Sequence, residues 1–199
     1  MDRDTKHNKA MAKQKAAVDE AISKADIERG VSVLLTGDGK GKTSSAFGMV
    51  IRALGYGQRV GIVQFIKGEQ PSGEETYVRD HLPGVTLYQM GTGFTWDTQD
   101  RSGDIAAAER TWEQARAMLE DETYDLVVLD ELTYMLAFDY LPERMVIDAL
   151  TSRPAGQSVV VTGRGGGQAL REAMDTVSEV KEIKHAYRAG IRARQGVDY

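Results

Sequence analysis

A single α/β domain built on a doubly wound, mostly parallel sheet is the fold class this sequence predicts, and three observations predict it. Short apolar runs alternate with helix-periodic stretches from residue 30 to the end of the chain. The runs are continuously apolar rather than alternating, as strands covered on both faces are. The first run passes through a glycine-rich turn, Thr36-Gly37-Asp38-Gly39-Lys40-Gly41-Lys42-Thr43-Ser44, straight into a helical stretch. With 199 residues the chain is long enough for one well-buried core and too short for two comfortable domains.

In order along the chain, residues 1–29 read as a helical arm outside the sheet. Charges of both signs alternate there, with Ala17, Val18, Ala21, Ile22 and Ala25 at helical spacing. Such an arm is either a solvated amphipathic helix or one that folds over a site or partner. Residues 30–199 form the domain. Its strand candidates are Val31–Thr36, Arg59–Phe65, Val85–Met90, Leu126–Leu129, Ser158–Thr162 and, with a weaker pattern, Val177–Lys184. Helices are expected over Lys42–Leu54, closed by Gly55-Tyr56-Gly57, and over Glu74–His81, Asp104–Glu120, Glu143–Leu150 and Gln168–Met174.

Composition narrows the function. The chain is 41% hydrophobic and 28% charged, with a net charge of −5, which argues against an extended nucleic-acid footprint. No apolar run approaches the length of a membrane span, and the start, Met1-Asp2-Arg3-Asp4, is no signal peptide. Cysteine is absent, which removes disulfides and thiolate chemistry and fits a cytoplasmic location. His7, His81 and His185 are too scattered to suggest a metal cluster.

In doubly wound sheets the ligand sits beyond the carboxyl ends of the strands, so the residues just after each strand carry the chemistry. After the first strand, the glycines Gly37, Gly39 and Gly41 leave backbone N–H groups free to surround anionic oxygens, together with those of Asp38, Lys40 and Ser44. Lys42 can reach terminal phosphates as a point charge, and the Thr43 hydroxyl can ligate Mg²⁺. The usual pattern has glycine where this chain has Thr36, so the loop is a variant. The bland alternative is a turn that merely joins strand to helix.

The fourth strand ends in Asp130-Glu131, where phosphate-loop proteins hold Mg²⁺. Neighbouring residues splay at a strand end, so Glu131 is expected near the ion and Asp130 as a brace; the alternative is a cap for a short helix over Leu132–Ala137. Lys67 and Arg164, read as following neighbouring strands, are candidates for phosphates or a carboxylate-rich ligand, or else solvated surface charges. Phe94 and Trp96, in the glycine-flanked loop after the third strand, either pack on the domain or await a flat apolar partner.

Together these segments resemble the ATP:corrinoid adenosyltransferases of the cobalamin pathway, the type that also acts on cobyrinic acid diamide. The likeness rests on residues 36–43, Val63-Gln64-Phe65-Ile66-Lys67-Gly68, Thr92-Gly93-Phe94-Thr95-Trp96-Asp97-Thr98-Gln99, Asp130-Glu131-Leu132-Thr133-Tyr134 and Val161-Thr162-Gly163-Arg164-Gly165. It continues through Asp175-Thr176-Val177-Ser178-Glu179, Lys184-His185-Ala186, Gly190 and Gly196-Val197-Asp198-Tyr199, and so runs from about Arg29 to the end. One departure is Gly166-Gly167, where the family commonly has a cysteine and then a polar residue.

The resemblance implies a sheet of the P-loop, recombinase-like type and transfer of the adenosyl group of ATP to a Co(I) corrinoid, with inorganic triphosphate leaving. ATP would lie in the reverse sense along the loop, which the extra hydroxyl of Ser44 suits. Lys42 and Mg²⁺ would stabilise charge growing on the leaving triphosphate. Phe94 and Trp96 would occupy the face where a lower axial ligand binds, leaving Co(II) four-coordinate and easier to reduce. The arm would close over the corrinoid of a neighbouring subunit in a homodimer, and a reduced flavin or flavodoxin would supply the electron. Two other readings compete: a recombinase-like ATP-hydrolysing switch or motor, and a non-catalytic corrinoid-delivery module.

Overall fold

A computed structural model describes residues 3–66, 71–91 and 100–199. The order of elements is α1 (Arg3–Lys24), β1 (Ser32–Thr36), α2 (Lys42–Gly55), β2 (Val60–Gln64), α3 (Gly73–His81), β3 (Thr86–Gln89) and α4 (Arg101–Glu120). There follow β4 (Leu126–Asp130), α5 (Leu132–Ala137), α6 (Glu143–Ser152), β5 (Ser158–Thr162), α7 (Gln168–Ala173), β6 (Thr176–Glu179) and a 3₁₀ turn at Ala186–Ala189.

The six strands form one sheet in the order β3-β2-β4-β5-β1-β6, and every pairing is parallel. β4 stands between β2 and β5, so Lys67 and Arg164 do not follow neighbouring strands as the sequence suggested. The sixth strand is shorter than expected. It stops at Glu179 because the Val180 carbonyl turns to accept the Gly39 N–H at 2.8 Å, which ends the ladder and starts the loop's support.

Side chains alternate across the sheet and bury on two faces. Leu34, Val63, Val127, Leu129, Val159 and Val161 pack under α4 to α7, against Trp112, Leu119 and Leu132. Leu35, Val60, Ile62, Leu126, Val128 and Val160 pack under α2 and α3, against Phe47, Val50 and Val78. In α2 the buried residues Ala46, Phe47, Val50 and Ala53 recur at the spacing of one helical face, which is why that segment is a helix laid on a sheet. Gly61 lets α4 lie close: a Cβ there would sit 2.8 Å from Met118 Sδ and 3.2 Å from the Tyr124 ring.

Arm helix α1 buries none of its residues and touches solvent on all sides, with i,i+4 ion pairs Lys15–Asp19 and Lys24–Glu20 on its surface. The domain proper is fastened just after it. The Asp175 carboxylate accepts from Arg29, from the Ser32 N–H at 2.8 Å and from Ser32 Oγ at 2.8 Å, tying the entry of β1 to that of β6. Arg29 foremost, with Ser32, holds the Asp175 carboxyl well below the usual carboxylate range. Its folded value is depressed, so its stabilisation is full above the unfolded value near ~4 and is lost as pH falls below that. Asp175→Asn should lower stability at pH 7 by about 1 kcal/mol, a figure discounted for solvent screening. Denaturant melts at pH 7 and pH 3 should show that difference shrinking at the lower pH.

Candidate functional site

Five strands direct their carboxyl ends toward one cavity of about 910 Å³. Asp38, Gly39, Lys40, Gly41, Lys42, Thr43 and Ser44 form one wall, while Asp130, Glu131 and Arg164 form another. Gln64, Gln89, Tyr134, His185, the start of α3 with its cap (Ser72–Glu75) and the segment Gly196–Tyr199 also line it. Of the residues singled out in the sequence, these ten come together here. Gly37 faces away: a Cβ on it would lie 2.4 Å from the Val180 carbonyl, so its bareness lets the loop press on β6. Lys67, Phe94 and Trp96 lie outside the described residues.

Backbone conformation explains the loop's glycines. Gly37 and Gly41 adopt φ of 97° and 112°, a region that disfavours any side chain, and Gly41 caps α2 from there. Thr36, the departure from the usual pattern, is fully buried at the end of β1. Its Oγ1 donates to the Gly165 carbonyl at 2.6 Å, so a side chain fastens the phosphate loop to the loop after β5.

Inside the loop Lys42 is buried, and its Nζ donates to the Gly39 carbonyl at 2.8 Å. Burial pushes its amine below the ordinary lysine value, an effect that Glu131 opposes and Arg164 reinforces. The ammonium is thus positioned by the loop's own backbone and faces two carboxylates across the cavity.

Those carboxylates differ sharply. Asp130 is 2% exposed and saturated: Oδ1 accepts from Thr43 Oγ1 at 3.0 Å and from Thr162 Oγ1 at 2.6 Å, and Oδ2 accepts from Gln64 Nε2 at 3.0 Å. Glu131 has a left-handed backbone, φ 59° and ψ 21°, a conformation that costs a non-glycine residue about 1 kcal/mol or more. Its N–H donates to Thr162 Oγ1 at 3.0 Å, yet its buried Oε2 has no hydrogen-bond partner. Burial first, and the neighbouring Asp130 second, push its carboxyl up to about 7 against the opposing pull of Lys42 and Arg164.

Thr43, whose hydroxyl is bonded to Asp130, and Glu131, with an unpartnered carboxylate oxygen, line the same cavity, and that donor set fits a hard divalent cation. Mg²⁺ takes one or two carboxylates and completes its shell with water and substrate phosphates. Among the described residues no group of three or more His, Cys, Asp or Glu is placed to hold a metal ion by itself.

The loop after β5 is held as firmly. Thr133 Oγ1 donates to the Arg164 carbonyl at 2.8 Å, and Gly163 leaves no room there for a side chain, since a Cβ would fall 2.0 Å from that hydroxyl. Arg164 is thereby presented to the cavity from a braced backbone. Gln64, Thr162, Thr133 and Tyr134 carry no site role that the sequence motifs alone assign. Their signal was a polar residue closing or following an apolar run: Gln64 and Thr162 each end a buried strand at the site.

Comparison with known proteins adds family information. Residues 28–199 match the family model described as ATP:corrinoid adenosyltransferase BtuR/CobO/CobP. A corrinoid adenosyltransferase of Pseudomonas aeruginosa is 50% identical over 198 residues, covering 100% of this chain and 98% of that protein. The corrinoid adenosyltransferase of Escherichia coli K12 is 48% identical over 196 residues, covering 98% and 99% respectively. Corrinoid adenosyltransferase CobA of Salmonella typhimurium is equally similar, at 48% over 196 residues.

Proposed function

This chain belongs to the ATP:corrinoid adenosyltransferase family, and from that membership we propose that it transfers the 5′-deoxyadenosyl group of ATP to the Co(I) centre of a corrinoid in adenosylcobalamin synthesis or salvage. The observation that carries the reading is the single cavity in which a glycine phosphate loop, a buried lysine and an unpartnered carboxylate oxygen converge.

The cobalt lone pair forms the Co–C5′ bond as the C5′–O5′ bond breaks. The electron pair departs on O5′ with inorganic triphosphate, and cobalt goes formally from I to III. Negative charge therefore grows on the leaving group, within the cavity that the phosphate loop and the Lys42 ammonium line. The Gly39 N–H, expected from the sequence to be free, is instead bonded to the Val180 carbonyl and is not one of the donors there in this conformation. Cations and free N–H groups so placed accelerate the reaction because they bind the departing triphosphate more strongly than ATP. Bound Mg²⁺ would add cationic charge to the same oxygens, held by Glu131 and the Thr43 hydroxyl, with Asp130 orienting that hydroxyl. Arg164 supplies a further cation at the cavity wall.

The remaining parts of the reading concern the corrinoid. Phe94 and Trp96 exclude an axial ligand from the lower face of Co(II), and Lys67 contributes a further cation for phosphates or a carboxylate-rich ligand. Arm α1, with no burial of its own, closes over the corrinoid of a second subunit in a homodimer. A reduced flavin or flavodoxin delivers the electron in a cytoplasmic setting, and no helix among the described residues is long and apolar enough to cross a membrane.

The test is anaerobic: the protein is mixed with ATP, Mg²⁺ and chemically reduced Co(I) corrinoid while the visible spectrum and the phosphate products are followed. A light-labile alkylcobalt spectrum with stoichiometric triphosphate is expected. Orthophosphate release with no change at cobalt would replace this reading with an ATP-hydrolysing switch, and neither product with tight corrinoid binding would indicate a delivery module.

A further inference from the structure

One wall of the triphosphate cavity comes from the far end of the chain, and it is attached in an unusual way. Every residue from Ala186 to Tyr199 is exposed, so this segment has no hydrophobic core to hold it in place. Gly196 to Tyr199 nevertheless line the cavity beside the phosphate loop. Asp198 makes the connection. Its Oδ1 pairs with Lys40 Nζ at 2.6 Å, and its Oδ2 accepts the Arg194 N–H at 2.8 Å. The N–H of Asp198 returns to the Arg194 carbonyl at 2.8 Å and that of Gly196 to the Tyr199 carbonyl at 2.8 Å, so the same side chain closes a tight turn and ties it to the loop.

Lys40 and Lys42 are thus committed differently. Lys42 is buried and held by backbone within the loop, whereas the Lys40 side chain is 48% exposed and bonded to a carboxylate. An ion pair reached by solvent contributes little to stability, so a polyanion entering the cavity can take the amine from it. Meanwhile the Asp198 carboxylate stays at the edge of the cavity, where it opposes a highly charged anion.

We infer that Asp198 is a positioning residue for triphosphate release: its carboxylate is the counter-ion to which the Lys40 amine returns, so it competes with the polyphosphate for one of the loop's cations. The inference rests on the triphosphate-releasing reaction proposed above. It gives the loop two grips, a permanent one through Lys42 and an exchangeable one through Lys40. The exchangeable grip keeps the product of the reaction from occupying the site as firmly as the transition state does.

The experiment is calorimetric titration of sodium tripolyphosphate with Mg²⁺ into the full chain, without corrinoid or ATP. Asp198→Asn should bind tripolyphosphate about threefold to tenfold more tightly than the unaltered protein, with Asp198→Glu within about twofold of it. In a Lys40→Ala background the Asn substitution should change affinity less than about twofold, because the exchange partner is gone. In steady state the KM for ATP and the inhibition constant for triphosphate should fall together in Asp198→Asn. Unchanged or weaker binding in Asp198→Asn would overturn the inference, since a merely structural wall loosens when its tie is cut. Equal tightening in the Lys40→Ala background would overturn it too, assigning the effect to general repulsion. Either result beside normal adenosyl transfer leaves the proposed function intact, while failure of the unaltered protein both to bind tripolyphosphate and to alkylate cobalt removes the two together.

Discussion

Lys42→Ala is expected to lower kcat about 100- to 1000-fold with any corrinoid, while the melting temperature of the free protein stays level or rises slightly. The rate loss follows from the leaving-group role proposed for Lys42, since removing one preorganised group at developing charge typically costs that much. The stability result follows from burial: the amine sits below its ordinary value because it has lost solvent, and its hydrogen bond is to the Gly39 carbonyl in its own loop. A residue that is uncomfortable in the free protein and decisive in the reaction should separate the two assays. Single-turnover alkylation of chemically prepared Co(I) corrinoid is the direct measurement. Rates like those of the unaltered protein would remove Lys42 from the leaving-group role, and a loss confined to KM would reassign it to binding shared by substrate and transition state.

Glu131→Gln should abolish most turnover and stabilise the metal-free protein at pH 8 by about 2 kcal/mol, a rise of about 4–8 °C in melting temperature for a chain this long. The sign follows from the carboxyl being pushed up to about 7 by burial and by Asp130, above the unfolded value near ~4.3. Ionisation therefore favours unfolding. The penalty is absent below the unfolded value, grows between ~4.3 and about 7, and is constant above that, at about 4 kcal/mol for the full gap. Glutamine removes the charge and keeps the shape, though its amide also needs a partner, which is why the expected gain is smaller. Thermal melts in chelator from pH 4 to pH 8 should show two curves that coincide at the acid end and diverge above it. Parallel curves would mean that Oε2 finds a partner in solution.

Much of this arrangement was legible because it depends on local pattern. The first five apolar runs became strands within a residue or two, as at Ser158–Thr162, because runs buried on both faces leave little freedom of assignment, whereas the exposed sixth, expected to reach Lys184, stopped at Glu179. Lys42–Gly55 declared itself through the spacing of Ala46, Phe47, Val50 and Ala53. Strand order was not legible. Nothing local says that β5 inserts between β1 and β4, since that is decided by how two layers of helices share the faces of a twisted sheet.

The site shows the same division. The glycines of the phosphate loop, Thr43 and the acidic pair at Asp130-Glu131 stood out, while Thr162, which braces Asp130 from β5, did not. Thr36 looked like a defect in a motif until its hydroxyl met the carbonyl of Gly165, a residue 129 positions away. Asp198 looked like the tail of a motif until the fold brought it to Lys40. Long-range hydrogen bonds by small polar side chains carry no periodicity, and so leave no trace in a single sequence.

Asp130 and Glu131 carry one further consequence. Asp130 is bonded to residues from β2, α2 and β5, so folding and function ask the same thing of it. Its neighbour has a left-handed backbone and a buried oxygen left unsatisfied, so there the two demands oppose each other. Selection for a more durable protein would keep the first residue and discard the second, whereas, on the proposed metal-holding role of Glu131, selection for catalysis would keep both. Within two adjacent residues the chain holds both an aligned and a conflicting case of the trade between robustness and activity. The conflicting one marks where a thermostabilised variant of this protein would first go silent.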